Sequence, residues 1–337
     1  PDKEYLGYFD YSTLICLFCM LAVVAGLKST NVFELISRKL IGLFHTRRAV
    51  IYALVFGTFF FDMIVANDMS LITFLPLTYI VLHSTKNDKY LAFTFIMQTI
   101  AANMGGMITP YGNPQNLYLY SYYNINTTEF FSILLVPSIT VAVLLWICCA
   151  FVHNETLKLR KNSKIIISKK ELCIYSILFI FVILSIFRVI PYLITLAIVV
   201  LTILIMDRKR FKQIDYALIA TFFVFFVFSG NIARIPAIKE FISEIVVKNT
   251  LLAGIVSCQF ISNVPTAIFL SKFTTNYKEL LVSVNIGSLG ILISSLASLI
   301  TLKEFLKHQP KNFWKYLIMY TIFNTLFLVV LLLVTTL

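Results

Sequence analysis

Apolar stretches of roughly twenty residues recur along this chain from one end to the other, with most of the charge confined to the short segments between them. Such a stretch matches the hydrocarbon thickness of a bilayer, where a backbone must satisfy its own hydrogen bonds, so the fold is restricted to membrane-spanning helices. With 59% hydrophobic and 13% charged residues in 337 and a mean hydropathy of +0.88, no part of the chain is left over for a sizeable soluble domain. The net charge of +12 does not indicate nucleic acid, because the Lys and Arg lie between apolar runs rather than along one helix face. The six cysteines, Cys16, Cys19, Cys148, Cys149, Cys173 and Cys258, sit in apolar segments without His or carboxylate at metal-binding spacing and read as packing residues.

Helices are expected at about 11–27, 90–128 with a polar break, 130–152, 172–187, 190–206, 216–229, 281–300 and 313–337. Two further runs, 48–82 and 250–271, are interrupted at Ala66-Asn67-Asp68 and at Ser262-Asn263-Val264-Pro265, and neither half is long enough to span. They are read as re-entrant hairpins with polar tips. On that topology the segments 28–48, 83–89, 153–171, 207–215 and 301–315 are cytoplasmic and hold 21 of the 28 Lys and Arg, the asymmetry that sets orientation. Residues 1 and 337 then lie outside.

One order of parts occurs twice. Asp2, Asp10 and Tyr11 precede the first helix as Asp207, Asp215 and Tyr216 precede a later one. An amphipathic arm follows each, then a hairpin tipped by Asn67 or Asn263, then a helix containing Asn103-Met104-Gly105-Gly106 or Asn285-Ile286-Gly287-Ser288. The expected division is a first repeat over 1–152, a basic cytoplasmic linker over 153–171 and a second, inverted repeat over 172–337. The second repeat carries an additional helical pair, which leads to the expectation that helices precede Pro1 in a longer product or were lost.

Polar residues at membrane depth mark sites, since unwound backbone survives there only in protein or beside a watery cavity. Asn67, Asp68 and Ser70 at the first tip offer hard oxygen donors of the kind that Na⁺ or a proton uses, although Asn and Asp also cap helices routinely. The segment Thr109-Pro110-Tyr111-Gly112-Asn113-Pro114-Gln115-Asn116 cannot continue a helix. Together with Asn103 it is a second candidate site, with Na⁺ placed at Asn67, Asp68 and Asn113. Ser262, Asn263 and Thr266, with Asn285 and Gly287, are the copies in the second half; they carry no carboxylate and suit a substrate rather than an ion, or, for the small residues, close helix packing. Asp62 lies within the first hairpin arm, as a second ligand or as the partner of a basic side chain. Arg188 and Arg234 lie outside, either as anion attractors or as snorkelling side chains. No metalloprotease, nucleophile-elbow or phosphate-loop motif is present, and the chain reads as no enzyme.

These residues resemble the ion-transporter superfamily of arsenite permeases, D-type Na⁺/H⁺ antiporters, citrate–metal transporters and divalent anion:Na⁺ symporters. Asn67-Asp68-Met69-Ser70-Leu71-Ile72-Thr73-Phe74-Leu75-Pro76 is similar to the first hairpin of the arsenite and antiporter branches. Gly112-Asn113-Pro114-Gln115-Asn116 is similar to the unwound first core helix, and Ser262-Asn263-Val264-Pro265-Thr266 to the second tip. The resemblance implies a scaffold and a mobile transport part, elevator-type alternating access, ions at each tip and a homodimer. Ala66-Asn67-Asp68 and Val264-Pro265 depart from the dicarboxylate branch.

The expected function is Na⁺- or H⁺-coupled transport of a small inorganic or organic anion across a bacterial inner membrane, with no organic cofactor and no nucleic-acid partner. A Na⁺/H⁺ antiporter is the alternative, and an uncoupled channel is disfavoured by the repeat. The bacterial source is read from the Ile-, Asn-, Lys- and Phe-rich composition.

Overall fold

The computed structural model describes residues 3–157, 167–206 and 208–336. Asp2, Asp207 and the centre of the basic linker, 158–166, on which part of the repeat and charge readings rests, lie outside the described residues. Among the described residues all regular structure is helical, apart from an isolated bridge between Thr46 and Thr156.

The first helix, α1 (Tyr11–Ser29), starts where the Asp10 side chain accepts the N–H of Thr13 at 3.1 Å. An amphipathic arm, α2 (Val32–Gly42), leads to a hairpin of α3 (Arg47–Asp62) and α4 (Asn67–Ser84). A broken helix follows as α5 (Leu91–Gly105) and α6 (Pro114–Tyr122), and α7 (Thr127–Ala150) crosses back. After the linker come α8 (Lys169–Ile186) and α9 (Tyr192–Met206). Then α10 (Tyr216–Ala233) opens on an Asp215 cap that accepts the N–H of Leu218 at 3.1 Å, as Asp10 does for α1. The remaining helices are an arm, α11 (Pro236–Lys248), a hairpin of α12 (Thr250–Ile261) and α13 (Asn263–Leu270), a broken helix of α14 (Tyr277–Ile286) and α15 (Leu296–His308), and α16 (Phe313–Thr336).

The order from α1 to α7 thus returns from α10 to α16, and the packing returns with it. Helix α3 lies on α5 as α12 lies on α14, and α4 on α5 as α13 on α14. Across the halves, α6 packs on α13 and α15 on α4. The second broken helix runs over 277–308 rather than 281–300, with a wider gap than the sequence suggested. Gly290 has φ +113°, and the chain needs the nine residues to Ser295 before Leu296 can restart a helix.

Five helices among the described residues are long and apolar enough to cross a membrane, including α1, α7, α10 and spans containing α5 and α16. Helix α16 buries Tyr316, Tyr320, Asn324, Phe327 and Leu331, one stripe at helical spacing, while Trp314, Ile318, Ile322, Val329 and Leu333 stay exposed. The same division holds on α7, where Phe130, Leu134, Val141 and Leu145 are buried and Trp146 and Ile139 are exposed. Apolar faces of this extent need lipid as solvent, and the molecule is an all-α polytopic membrane protein.

The hairpins are fixed at their bases and held close to the broken helices. Arg47, buried at the start of α3, donates to the His153 carbonyl at 2.9 and 3.0 Å and to Asn87 Oδ1 at 2.9 Å, and pairs with Glu155. In the second half α12 and α14 touch through Gly254, where an added Cβ would fall 1.9 Å from Ser283 Oγ and 2.5 Å from its Cβ. Gly254→Ala is expected to destabilise the protein by about 2 kcal/mol through overpacking. Ser283→Gly in the same molecule should recover most of the loss, read as detergent melting temperature for the two single variants and the double.

Candidate functional site

Both hairpin tips are built the same way. Asn67 opens α4 with its Oδ1 accepting the N–H of Asp68 at 2.9 Å, and Asn263 opens α13 with its Oδ1 accepting the N–H of Val264 at 2.9 Å. Ser70 donates to the Asn67 carbonyl at 2.8 Å, and Thr266 to the Ser262 carbonyl at 2.7 Å. The second tip is the tighter one. Ser262 stands at φ 71°, ψ 163°, a region that only glycine visits freely, and its hydroxyl donates to the Ser294 carbonyl at 3.2 Å and to Asn263 Oδ1 at 3.3 Å.

The first break is held open by side chains instead of helical hydrogen bonds. Asn116 donates to the carbonyls of Met107 at 2.9 Å, Thr109 at 3.3 Å and Gly106 at 3.4 Å. Thr109 donates to the Met63 carbonyl at 3.1 Å and accepts the N–H of Gly112 at 3.0 Å. Asn113 donates to the Asn103 carbonyl at 3.1 Å. Gly112 is required for closeness: a Cβ there would lie 2.5 Å from the Gly106 carbonyl oxygen.

The two breaks meet and brace each other reciprocally. Asn103 donates to Ser295 Oγ at 3.0 Å, while Asn285, its counterpart in the second half, donates to Asn116 Oδ1 at 2.7 Å and accepts from Gln115 Nε2 at 3.3 Å. Around Gly287, whose N–H bonds the Ser283 carbonyl at 2.8 Å, Ser288 donates to the Asn285 carbonyl at 2.6 Å. The candidate residues of the two broken helices therefore form one buried polar seam.

Asp62, the last residue of α3, sits at the end of that seam. It is fully buried, its Oδ2 accepts the N–H of Gly106 at 2.6 Å, and its Oδ1 accepts from Ser70 at 3.3 Å. No basic side chain of the described residues pairs with it. An uncompensated buried carboxylate is costly and calls for a proton or a cation. The cradle for it is visible: the point where a Gly106 Cβ would stand is 2.6 Å from Asp62 Oδ2 and 2.8 Å from Asn113 Oδ1. Asp68 is half-buried on the tip, with Oδ1 shielded and unpartnered.

Four buried oxygens in these segments have no donor: Asp68 Oδ1, Asn103 Oδ1, Asn113 Oδ1 and Gln115 Oε1. All are acceptors and all belong to the first half. Buried acceptors are rarely left empty, and the one of these that stands beside the Asp62 carboxylate, Asn113 Oδ1, makes with it a pair that suits a cation. The donor set of one carboxylate and neutral amide oxygens fits a monovalent ion, and among the described residues no three His, Cys, Asp or Glu gather to hold a metal of higher charge.

Three residues of this site were outside the sequence candidates. Ser294 and Ser295 receive the second tip and Asn103, and Gln259 in α12 donates to the Gly287 and Leu289 carbonyls at 2.9 and 3.0 Å. The signal for Gln259 was a lone amide in an apolar helix; the serines carried none. Arg188, by contrast, is tied to the protein. It donates to the carbonyls of Tyr120 at 2.7 Å and Ile125 at 3.4 Å and lies 4.5 Å from the Tyr120 ring centroid. Arg188→Gln is expected to lower stability by about 2 kcal/mol, the worth of a charge-assisted contact, and to leave the substrate KM unchanged, measured by melting temperature and by uptake kinetics.

Comparison with known proteins is consistent with this arrangement. A family model described as "CitMHS: Citrate transporter" matches residues 1–286. An uncharacterized transporter of Methanocaldococcus jannaschii is 34% identical over 304 residues, 89% of this chain and 82% of the relative. The inner membrane protein YbiR of Escherichia coli is 24% identical over 320 residues, 93% of this chain and 84% of the relative. A putative transporter of Dictyostelium discoideum, arsB, is 26% identical over 144 residues, 41% of this chain and 24% of its own.

Proposed function

The chain belongs to the CitMHS citrate transporter family, within the ion-transporter superfamily, and from that premise we propose that it is a secondary active transporter coupling a small anion to Na⁺ or H⁺. The observation that carries the coupling is Asp62, a fully buried carboxylate with unpartnered Asn113 Oδ1 beside it and no basic partner. Its charge would be neutral with the ion bound and uncompensated without it, so the loaded and empty states differ in the cost of moving through the bilayer. Asn67 and Asp68 at the tip and Asn113 in the break would hand the ion from the one to the other.

The anion is placed between the two tips, where Ser262, Asn263 and Thr266 offer neutral polar groups. The family's description as a citrate transporter supports an anion as cargo. Opposed insertion of the two halves in an inner membrane, with both chain ends outside, is supported by the Lys and Arg distribution. Elevator-type movement of the hairpins and broken helices, in a homodimer, completes the proposal.

A Na⁺/H⁺ antiporter is the second reading. What favours it is that no Lys or Arg stands in either tip or either break, whereas two carboxylates, Asp62 and Asp68, do. Melting temperature separates the two readings when purified protein is scanned against Na⁺, Li⁺, K⁺, pH and a panel of anions, since a ligand of the native state raises it. Coupled anion transport expects an anion, citrate among those tried, to stabilise only with Na⁺ or at low pH. Shifts by cations and pH alone, with no anion effective, would transfer the assignment to the antiporter.

A further inference from the structure

We infer that one chain takes up a single coupling cation, at the Asp62 cradle of the first half, because Gln259 fills the matching place in the second half with its own amide. This rests on the coupling reading above and departs from an arrangement with an ion at each tip.

Asp62 and Gln259 are one residue out of register, since Cys258 matches Asp62 when Asn67 is set on Asn263, yet both bond the same part of the break: Asp62 the N–H of Gly106, Gln259 the carbonyls on either side of Ser288. Each lies in the last turn of the first arm of its hairpin, a few residues before Asn67 or Asn263, and each faces the break of its own half. Their chemistry is opposite. Gln259 Nε2 donates to the Gly287 carbonyl at 2.9 Å, the Leu289 carbonyl at 3.0 Å and the Ile255 carbonyl at 3.2 Å, and its Oε1 accepts the N–H of Ile291 at 3.0 Å. Unwound carbonyls of this kind are what a bound Na⁺ coordinates in a broken helix. Here a side-chain NH₂ already saturates them. The backbone is shaped to admit it: Gly290 takes φ +113°, and a Cβ there would lie 2.2 Å from Gln259 Oε1.

An ionised Asp62 can only accept. It satisfies the Gly106 N–H and leaves Asn113 Oδ1 and Asn103 Oδ1 without donors. In the second half the corresponding polar side chains, Asn263, Thr266, Asn285, Ser288, Ser294 and Ser295, all have partners. Among the tips and breaks, the unmet acceptors and the uncompensated charge therefore fall in the same half, and the break of the other half is neutral and closed by a tethered substitute for the ion.

The test is a NaCl titration of melting temperature on the full chain in detergent, at constant ionic strength with choline chloride, repeated along the pH axis with the proton as cation. Wild type is expected to show a single-site rise of about 5 °C at a hundredfold excess over Kd. Asp62→Asn is expected to be flat toward NaCl, since no second Na⁺ site remains, and to lose only the part of the pH dependence that Asp62 supplies, Asp68 and the other carboxylates still titrating. Gln259→Glu, which replaces the donating NH₂ by a second carboxylate, is expected to add a second cation-dependent rise. A residual rise with NaCl in Asp62→Asn, or a wild-type titration in Gln259→Glu, would overturn the single-cation assignment while leaving coupling intact. A wild type indifferent to both Na⁺ and pH would overturn the coupling reading, and this inference with it.

Discussion

Asp62→Asn is expected to lower cation-driven uptake by about a hundredfold, the equivalent of losing one charge-assisted contact of roughly 3 kcal/mol, in a protein that remains folded. The asparagine keeps the shape of the carboxyl group and can still accept the Gly106 N–H that Asp62 Oδ2 accepts at 2.6 Å. Its NH₂ can turn toward Asn113 Oδ1, which stands on the same side of Gly106 and has no donor in the native protein. Removing an uncompensated buried charge should also make the ion-free variant more stable than ion-free wild type by about 1–3 kcal/mol. Initial uptake rates in proteoliposomes and melting temperatures in choline buffer measure the two halves of this expectation. Wild-type uptake with unchanged cation dependence would move the ion to Asp68 instead.

Gly106→Ala should be damaging in both respects. The added carbon would meet Asp62 Oδ2 at 2.6 Å, Asn113 Oδ1 at 2.8 Å and the Gly112 carbonyl carbon at 3.0 Å. The last of these is backbone and cannot swing aside, so the break must shift. Overpacking of this kind costs about 3 kcal/mol, and the methyl group would push apart Asp62 Oδ2 and Asn113 Oδ1, the two oxygens proposed to hold the cation, so uptake should fall below detection. Gly42→Ala is the control, because a Cβ at Gly42 meets nothing within 4 Å. If Gly106→Ala behaved like the control in uptake and melting temperature, the cradle would not be the ion site.

Much of the architecture could be read from residues alone, for a physical reason. A bilayer leaves few ways to satisfy a backbone, so an interrupted apolar run such as 48–82 or 250–271 implies a break with a polar tip. Those breaks fall at Asn67 and at Ser262-Asn263. Asp10 and Asp215 were legible as matching markers ahead of two helices, and the structure makes each of them the cap of its helix. What was not legible is pairing at long range. That Asn103 reaches Ser295, and that Asn285 reaches Asn116 and Gln115, depends on how two broken helices are set against each other. The order of merit between the two carboxylates was hidden for a similar reason. Asp68 carries the stronger local signal beside Asn67, yet the helical phase at the end of α3 turns Asp62 into the break and leaves Asp68 half-buried on the tip. Gln259 was passed over because one amide in an apolar helix says nothing about the carbonyls it will meet.

The most direct measurement of the central claim is uptake of a labelled anion into proteoliposomes under an imposed Na⁺ gradient, and separately under an imposed proton gradient, with wild type and Asp62→Asn compared. Accumulation above equilibrium, driven by one of the two gradients and lost in Asp62→Asn, is the predicted result. Equal uptake with and without either gradient, unchanged by Asp62→Asn, would contradict coupled transport through the first half.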